Sequence, residues 1–396
     1  MSALSHPGFR AYFIAAVPLT QARWAQRVTL GWLAWQVSGS APFVGLIAAL
    51  GLAPLIFAGP VFGVLVDRAE IRRALLFTSG TMCVLLAVTA MLAAAGLGRA
   101  TLVAVALMTG FVTAAHDPVR MSLAPRLVPK ADVPNVIALT ALNFNMARMI
   151  APVLTGLALA TFGPVATLWI SSILYMPMLL ATRWMHPRPL PADQGRTSVR
   201  EGIAEGLRYV ATHPVAREAM VLTGAIALLV RAYLELLPVM AEGVHDRGAE
   251  GLGVLTAAAG FGALVAAVAK AAGAGQGGIA PITRLTLVLG VLAVALVGLS
   301  EDWWVTLGWT AVLGFASTFS GVGLQAAVQE ELPDALRGRV MSLWAVVGIG
   351  AVAFGSGLLG WGAGFFGLPR VLLVAGLLGA AATGWLALSS RGGRAT

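Results

Sequence analysis

Gly63-Val-Leu-Val-Asp67-Arg68-Ala-Glu70-Ile-Arg72-Arg73 separates two long runs, residues 42–65 and residues 74–96, neither of which holds a charged side chain. A helix of about 20 apolar residues crosses a bilayer. The spacing therefore predicts two antiparallel membrane helices joined by a short turn. Three arginines place that turn on the cytoplasmic side, where Lys and Arg accumulate.

The same pattern continues in both directions. Of 396 residues, 58% are hydrophobic and 11% are charged, against about 25% charged in soluble domains. So little charge cannot cover a water-soluble surface. Disordered, collagen-like and coiled-coil chains are excluded for want of polar or repetitive sequence. The apolar runs make a set of twelve, near 11–37, 42–65, 74–96, 100–124, 134–162, 164–185, 214–241, 250–272, 281–300, 303–327, 339–363 and 368–389. In lipid each must be a helix, because an open backbone finds no hydrogen-bond partner there. The runs do not alternate as barrel strands would.

Charge orients the set. With the N-terminus inside, Arg99, Arg247 and Arg370 fall on the outer side, and Arg23, Arg27, Arg148 and Arg231 lie within helices. The other 19 of the 26 Lys and Arg face the cytoplasm. This asymmetry gives an even number of spans with both termini cytoplasmic. It also accounts for the net charge of +9 without a nucleic-acid partner. Trp303 and Trp304 fall at an outer interface, and Trp184 and Trp385 at inner ones. The longest polar break, 186–213, reads as a cytoplasmic linker between a six-helix bundle at 1–185 and a second at 214–396. A shift of 204 residues superposes Pro129 on Pro333, Val136 on Val340, Leu139 on Leu343 and Gly156 on Gly360. That weak repeat suits two parallel six-helix units.

The opening turn resembles the signature loop of the major facilitator superfamily. The resemblance implies a cytoplasmic latch in which Gly63 allows close helix approach and Asp67 pairs with a neighbouring helix end. Arg68, Arg72 and Arg73 would meet carboxylates or lipid phosphate. Glu70 stands where a second glycine is usual, and the arginine pair comes one residue late. Longer stretches are similar to the transporter group that includes the enterobactin exporter. They are Trp24-Ala-Gln-Arg27-Val-Thr-Leu-Gly-Trp32, Asp117-Pro118-Val-Arg120, Asn143-Phe-Asn145-Met-Ala-Arg148-Met-Ile-Ala-Pro152, Leu237-Pro238-Val-Met-Ala241 and Gln325 to Val340. These matches run in order across nearly the whole chain. They imply an all-α membrane protein, with twelve transmembrane helices in two pseudo-symmetric six-helix bundles rocking around a central cavity. The implied activity is efflux of a small organic molecule, siderophore or drug-like, in exchange for protons. Ala151-Pro152-Val-Leu-Thr155-Gly156 departs from the Gly-Pro and Gly-Gly pattern frequent in exporters. An importer, a facilitator or a lipid translocator therefore stays open, as does a non-transporting receptor or sensor.

Ionisable groups are costly in a bilayer, so each is a candidate. Arg23 and Arg27 share one face of the first segment, with Gln26 beside them. Thr109, Thr113, His116, Asp117 and Arg120 form one polar stripe, and Asn145 and Arg148 lie three apart. At 1.5 Å per residue, Arg23 and Arg148 sit about 18 Å and about 21 Å from the cytoplasmic starts. Two arginines near the midplane suit an anionic substrate, or pairing with Asp117. The expected cavity and coupling residues are Arg23, Gln26, Thr113, His116, Asp117, Asn145 and Arg148. Arg27, Arg231 and Glu235 lie nearer the outer side and form an expected gate, with Glu235 paired to Arg27 or Arg231.

Other chemistry is missing from the sequence. Cys83 is the single cysteine, and the five histidines are scattered. No phosphate loop, nucleophile elbow or His-Glu-x-x-His pair appears. The expectation is a non-enzymatic transporter without cofactor or metal. Its partners are a small-molecule substrate, protons and membrane lipid. It is a monomer in the plasma membrane of a bacterium, its first helix uncleaved.

Overall fold

The structure, a computed structural model, describes residues 2–188, 199–272 and 279–392. The described residues form helices joined by short turns. They cluster into two compact units, Met1–Ser38 with Leu50–Arg196, and Gly39–Ala49 with Thr197–Thr396.

The first unit is built from α1 (Pro7–Ser38), the later part of α2 (Ala41–Phe57), α3 (Gly59–Arg68), α4 (Ile71–Ala94), α5 (Arg99–Arg126), α6 (Val133–Ile173) and α7 (Met176–Ala181). Pro7 opens α1, four residues earlier than the apolar pattern predicts. Its fixed φ and missing N–H suit a first helical turn. The second expected segment is interrupted at Ala58, between α2 and α3. Pro60 follows two residues later and cannot donate to the ladder. Within α6 the chain turns at Gly163, whose φ of 75° is tolerated chiefly by glycine. Pro164 then starts the next helical run. The expected segments 134–162 and 164–185 therefore meet with no loop between them.

The second unit holds α8 (Val199–Thr212) and α9 (Pro214–Ile226), a π-turn at Ala227–Arg231, α10 (Ala232–Glu235) and a second π-turn at Val239–Val244. There follow α11 (Gly248–Ala272), α12 (Pro281–Leu299), α13 (Trp303–Glu331), α14 (Asp334–Phe366) and α15 (Leu368–Gly392). The later part of the 186–213 break is thus helical. The seventh expected segment is a series of short pieces. Helices α11 and α13 touch backbone to backbone. A Cβ on Gly262 would sit 1.8 Å from the Ala311 carbonyl oxygen, and one on Gly314 1.9 Å from that of Ala259. Small residues are what allow membrane helices to approach so closely.

Among the described residues, eight helical stretches are long and apolar enough to cross a membrane. One of them, Lys130–Trp184, divides at Gly163. With α1, α2 continued by α3, and the α9–α10 series, each of the twelve expected segments has a helical counterpart. Large apolar side chains cover the outside: Phe77 is 75% exposed and Met121 78%. Such a surface belongs in lipid. The chain is an all-α, multi-pass membrane protein.

Candidate functional site

Helical spacing gathers the polar side chains of the first unit. On α5, Thr109, Thr113, His116 and Arg120 recur at steps of four, three and four, so they share a face. That face turns into the unit, where Thr109, His116 and Arg120 are buried. Asp117 is flanked by Pro118, which deprives the Ala114 carbonyl of its usual donor.

Arg23 of α1 and Asp117 of α5 form the centre. Arg23 Nη1 lies 2.8 Å from Asp117 Oδ1, and Nη2 donates to Oδ2 at 2.9 Å. This two-point pairing is the strong form of the Arg–carboxylate contact. Of the two roles expected for Arg23, anion binding or pairing with Asp117, the structure shows the second. The Asp117 side chain keeps 33% of its surface exposed, against 18% for Arg23.

Four further polar residues belong to this cluster. His116 Nδ1 is 2.9 Å from Thr78 Oγ1 on α4. Thr78 spends its one hydrogen on the Ala74 carbonyl at 2.8 Å. In that arrangement Nδ1–H donates to Thr78 and Nε2 is left as an acceptor. Nε2 is buried with no hydrogen-bond partner among the described residues, as are Arg120 Nε and Nη1, Tyr175 Oη and Gln26 Oε1. Arg120 lies within electrostatic reach of Tyr12, Asp117 and Tyr175. Unmet buried polar atoms are uncommon in folded proteins, and five of them lie on these four residues.

The other expected cavity residues are placed differently. Thr113 Oγ1 donates to its own helix at the Thr109 carbonyl, 2.7 Å away. Asn145 Nδ2 donates to the Ala141 carbonyl at 2.9 Å, also within its helix. Asn143 is the asparagine that bridges helices. Its Nδ2 donates to Thr20 Oγ1 at 3.1 Å and to the Ala16 carbonyl at 3.2 Å on α1. Residues two apart on a helix point to opposite sides, so only one of the pair can face α1. Arg148 is half-buried on α6. Tyr12, Tyr175 and Asn143 were not among the expected residues. A tyrosine or asparagine in an apolar run was the available signal.

The expected latch is only partly described. The side chains of Asp67 and Arg68 lie outside the described residues. Gly63 does not serve a close helix approach, since a Cβ there would meet nothing within 4 Å among the described residues. Arg73 pairs with the unexpected Glu70, Nε to Oε2 at 2.6 Å on the exposed surface. Arg72 is half-buried.

For the expected gate, Arg27 of the first unit lies with its guanidinium 5.8 Å from the Trp24 ring centre. In the second unit, Arg231 ends the first π-turn. Its Nε donates to Ser317 Oγ on α13 at 3.3 Å. Its Nη2 comes within 2.6 Å of where a Cβ on Gly321 would be. Glu235 closes α10, one turn further along. A buried ion pair in the second unit lies outside the expected site residues. Arg284 of α12, one of the 19 basic residues counted toward the cytoplasm, is buried and grips Glu218 of α9 at 2.5 and 2.8 Å. A lone acid in an apolar run cannot remain uncompensated, and an arginine one helix away satisfies it.

Comparison with known proteins agrees with this architecture. The family described as Transmembrane secretion effector matches residues 1–391. The enterobactin exporter EntS of Shigella boydii serotype 4 (strain Sb227) is 26% identical over 378 residues, covering 90% of this chain and 85% of that protein. Its counterpart from Escherichia coli O139:H28 (strain E24377A / ETEC) is 26% identical over 379 residues, with the same coverage. Among solved structures, a bacterial homologue of the human lysosomal transporter Spinster, inward-facing and unoccupied, superposes with a TM-score of 0.72 at 14% identity, covering 97% of each chain. The nucleoside transporter NupG gives 0.70 at 13% identity, covering 96% of this chain and 98% of its own. The chain is a transporter of the major facilitator superfamily and belongs to its transmembrane secretion effector family.

Proposed function

We propose that this transporter exports a small organic molecule, siderophore-like or drug-like, in exchange for protons by alternating access. The Arg23–Asp117 pair is its coupling element. One observation supports this reading most: both oxygens of Asp117 are held by Arg23, while the Asp117 side chain as a whole stays partly exposed. Antiport requires proton and substrate to exclude each other. A substrate that donates hydrogen bonds to Asp117 meets that condition, because protonation of the same carboxylate weakens it as an acceptor and loosens the Arg23 pair. The Arg120 guanidinium stands beside it as a second counter-charge for the carboxylate.

The pair also defines the rival. An anionic substrate that took Arg23 away from Asp117 would leave the carboxylate ready for a proton, and the two would then bind together. That sequence is symport and would make the protein an importer. In the export reading, Arg27, Arg231 and Glu235 act at the outer end of the path, and Asp67, Arg68, Arg72 and Arg73 at the cytoplasmic latch. Gln26, Thr113, Asn145 and Arg148 are further candidates along the path. The protein works as a monomer in the bacterial plasma membrane, both termini cytoplasmic, without catalysis.

The test uses everted membrane vesicles and a panel of labelled siderophores and drug-like cations. Accumulation driven by an imposed proton gradient, and lost in Asp117→Asn, supports the antiport reading. Accumulation indifferent to the gradient overturns it. Gradient-driven depletion instead of accumulation selects symport.

A further inference from the structure

The transport reading leaves one feature of the first unit unused. At the end that carries the N-terminus, an open groove of about 270 Å³ lies between α1 and α7. Ala11, Ala15, Pro177 and Ala181 line it, too small to fill the space between Ile14 and Leu180. The two larger side chains are 64% and 56% exposed, so the groove opens outward. An acyl chain lying there would cover apolar surface that no group among the described residues covers.

The groove has a basic mouth. Arg183 and Trp184 line its end, both exposed. The Arg183 guanidinium stacks 4.1 Å from the Trp184 ring centre. A guanidinium held by its face keeps its in-plane N–H donors available, and their fork matches phosphate oxygens. Arg10, also exposed, sits one turn before Ile14 on the same face of α1. Trp184 is an amphipathic ring of the kind found at headgroup level. We infer that this groove is a binding site for one anionic phospholipid, its acyl chain between Ile14 and Leu180 and its phosphate held by Arg183 and Arg10. A headgroup bearing its own cation would be repelled by the two guanidiniums. A second copy of the chain would bring the same two arginines against each other across an isologous contact.

The experiment is native mass spectrometry of the full-length protein released from detergent, with dioleoyl-phosphatidylglycerol and dioleoyl-phosphatidylcholine supplied in equal amounts. The expected result is phosphatidylglycerol adducts retained about fivefold or more over phosphatidylcholine. That preference falls to near unity in Arg183→Gln. Total lipid retention falls in Ala11→Trp, which fills the groove. Arg183→Lys keeps part of the preference, and Arg370→Gln, in the second unit, keeps all of it. Equal retention of the two lipids by the unaltered protein overturns the site. So does undiminished phosphatidylglycerol retention in either Arg183→Gln or Ala11→Trp, or a dimer that excludes the lipid.

Discussion

The guanidinium of Arg23 meets the carboxylate of Asp117 edge to edge, at 2.8 and 2.9 Å, across 94 residues of chain and two different helices. A contact of this geometry fixes the rotation of both helices about their axes. It also leaves one group able to change charge. Removing only the charge separates these two roles. Asp117→Asn should cut gradient-driven flux by about tenfold or more, the equivalent of about 1.4 kcal/mol. The double variant Arg23→Gln with Asp117→Asn should recover thermal stability lost in the single variant, and should recover no flux. Restored flux in the double variant would show that the pair only braces the helices.

Arg231 is held between a serine and a glycine on α13. Gly321→Ala would place a methyl 2.6 Å from its Nη2 and push the guanidinium off its seat. Flux should fall several-fold, on the order of 1 kcal/mol in the transport barrier, with an unchanged thermal midpoint. Ser317→Ala, which removes one hydrogen bond and no space, should cost less. Equal flux in Gly321→Ala and the unaltered protein would take Arg231 out of the path.

Glu218 and Arg284 pose a question of stability alone. Both are largely out of solvent, with 18% and 7% of their side-chain surfaces exposed. Glu218→Ala strands a buried cation and should destabilise the second unit by about 3–5 kcal/mol. Replacing both residues with Met should return much of that, because a packed apolar pair needs no compensation. Thermal unfolding followed by tryptophan fluorescence gives both values. If the double Met variant is as unstable as the single one, the pair is doing more than neutralising itself.

His245, in the turn beyond the second π-turn, gives a pH dependence. Burial pushes its imidazole below the usual value, Arg247 adds to the effect and Asp302 opposes it. The folded protein therefore favours neutral His245, whose Nε2 lies 3.1 Å from Thr306 Oγ1. Its contribution is complete above about pH 6.5, the ordinary histidine value. As the pH falls below that, toward the lowered value, the unfolded chain takes up a proton the folded one resists, and stability declines. The thermal midpoint should drop more between about pH 7.5 and about pH 5.5 in the unaltered protein than in His245→Gln. Identical slopes would exclude His245 as the titrating group.

The sequence by itself determined the membrane class, the placement of the apolar runs and the polar residues that had to be explained. Lipid imposes this directly: every uncharged run of sufficient length must become a helix, and every charge within it must find company. The family could be read as well, since motifs such as Asp117-Pro118-Val-Arg120 keep their order along the chain. The expectation that Arg23 could serve Asp117 also came from the residues alone. Only the tertiary structure decided which partners meet. It chose Asn143 over Asn145 as the bridge to α1, turned Arg284 inward to Glu218, gave Arg73 to Glu70 and buried His116 against Thr78. The reason lies in the solvent. A membrane helix is apolar on its lipid face and on its packed face alike, so hydropathy fixes where it starts and stops and leaves its rotation open. That rotation is set by small-residue contacts and polar pairs between helices, and these exist only once the helices have packed.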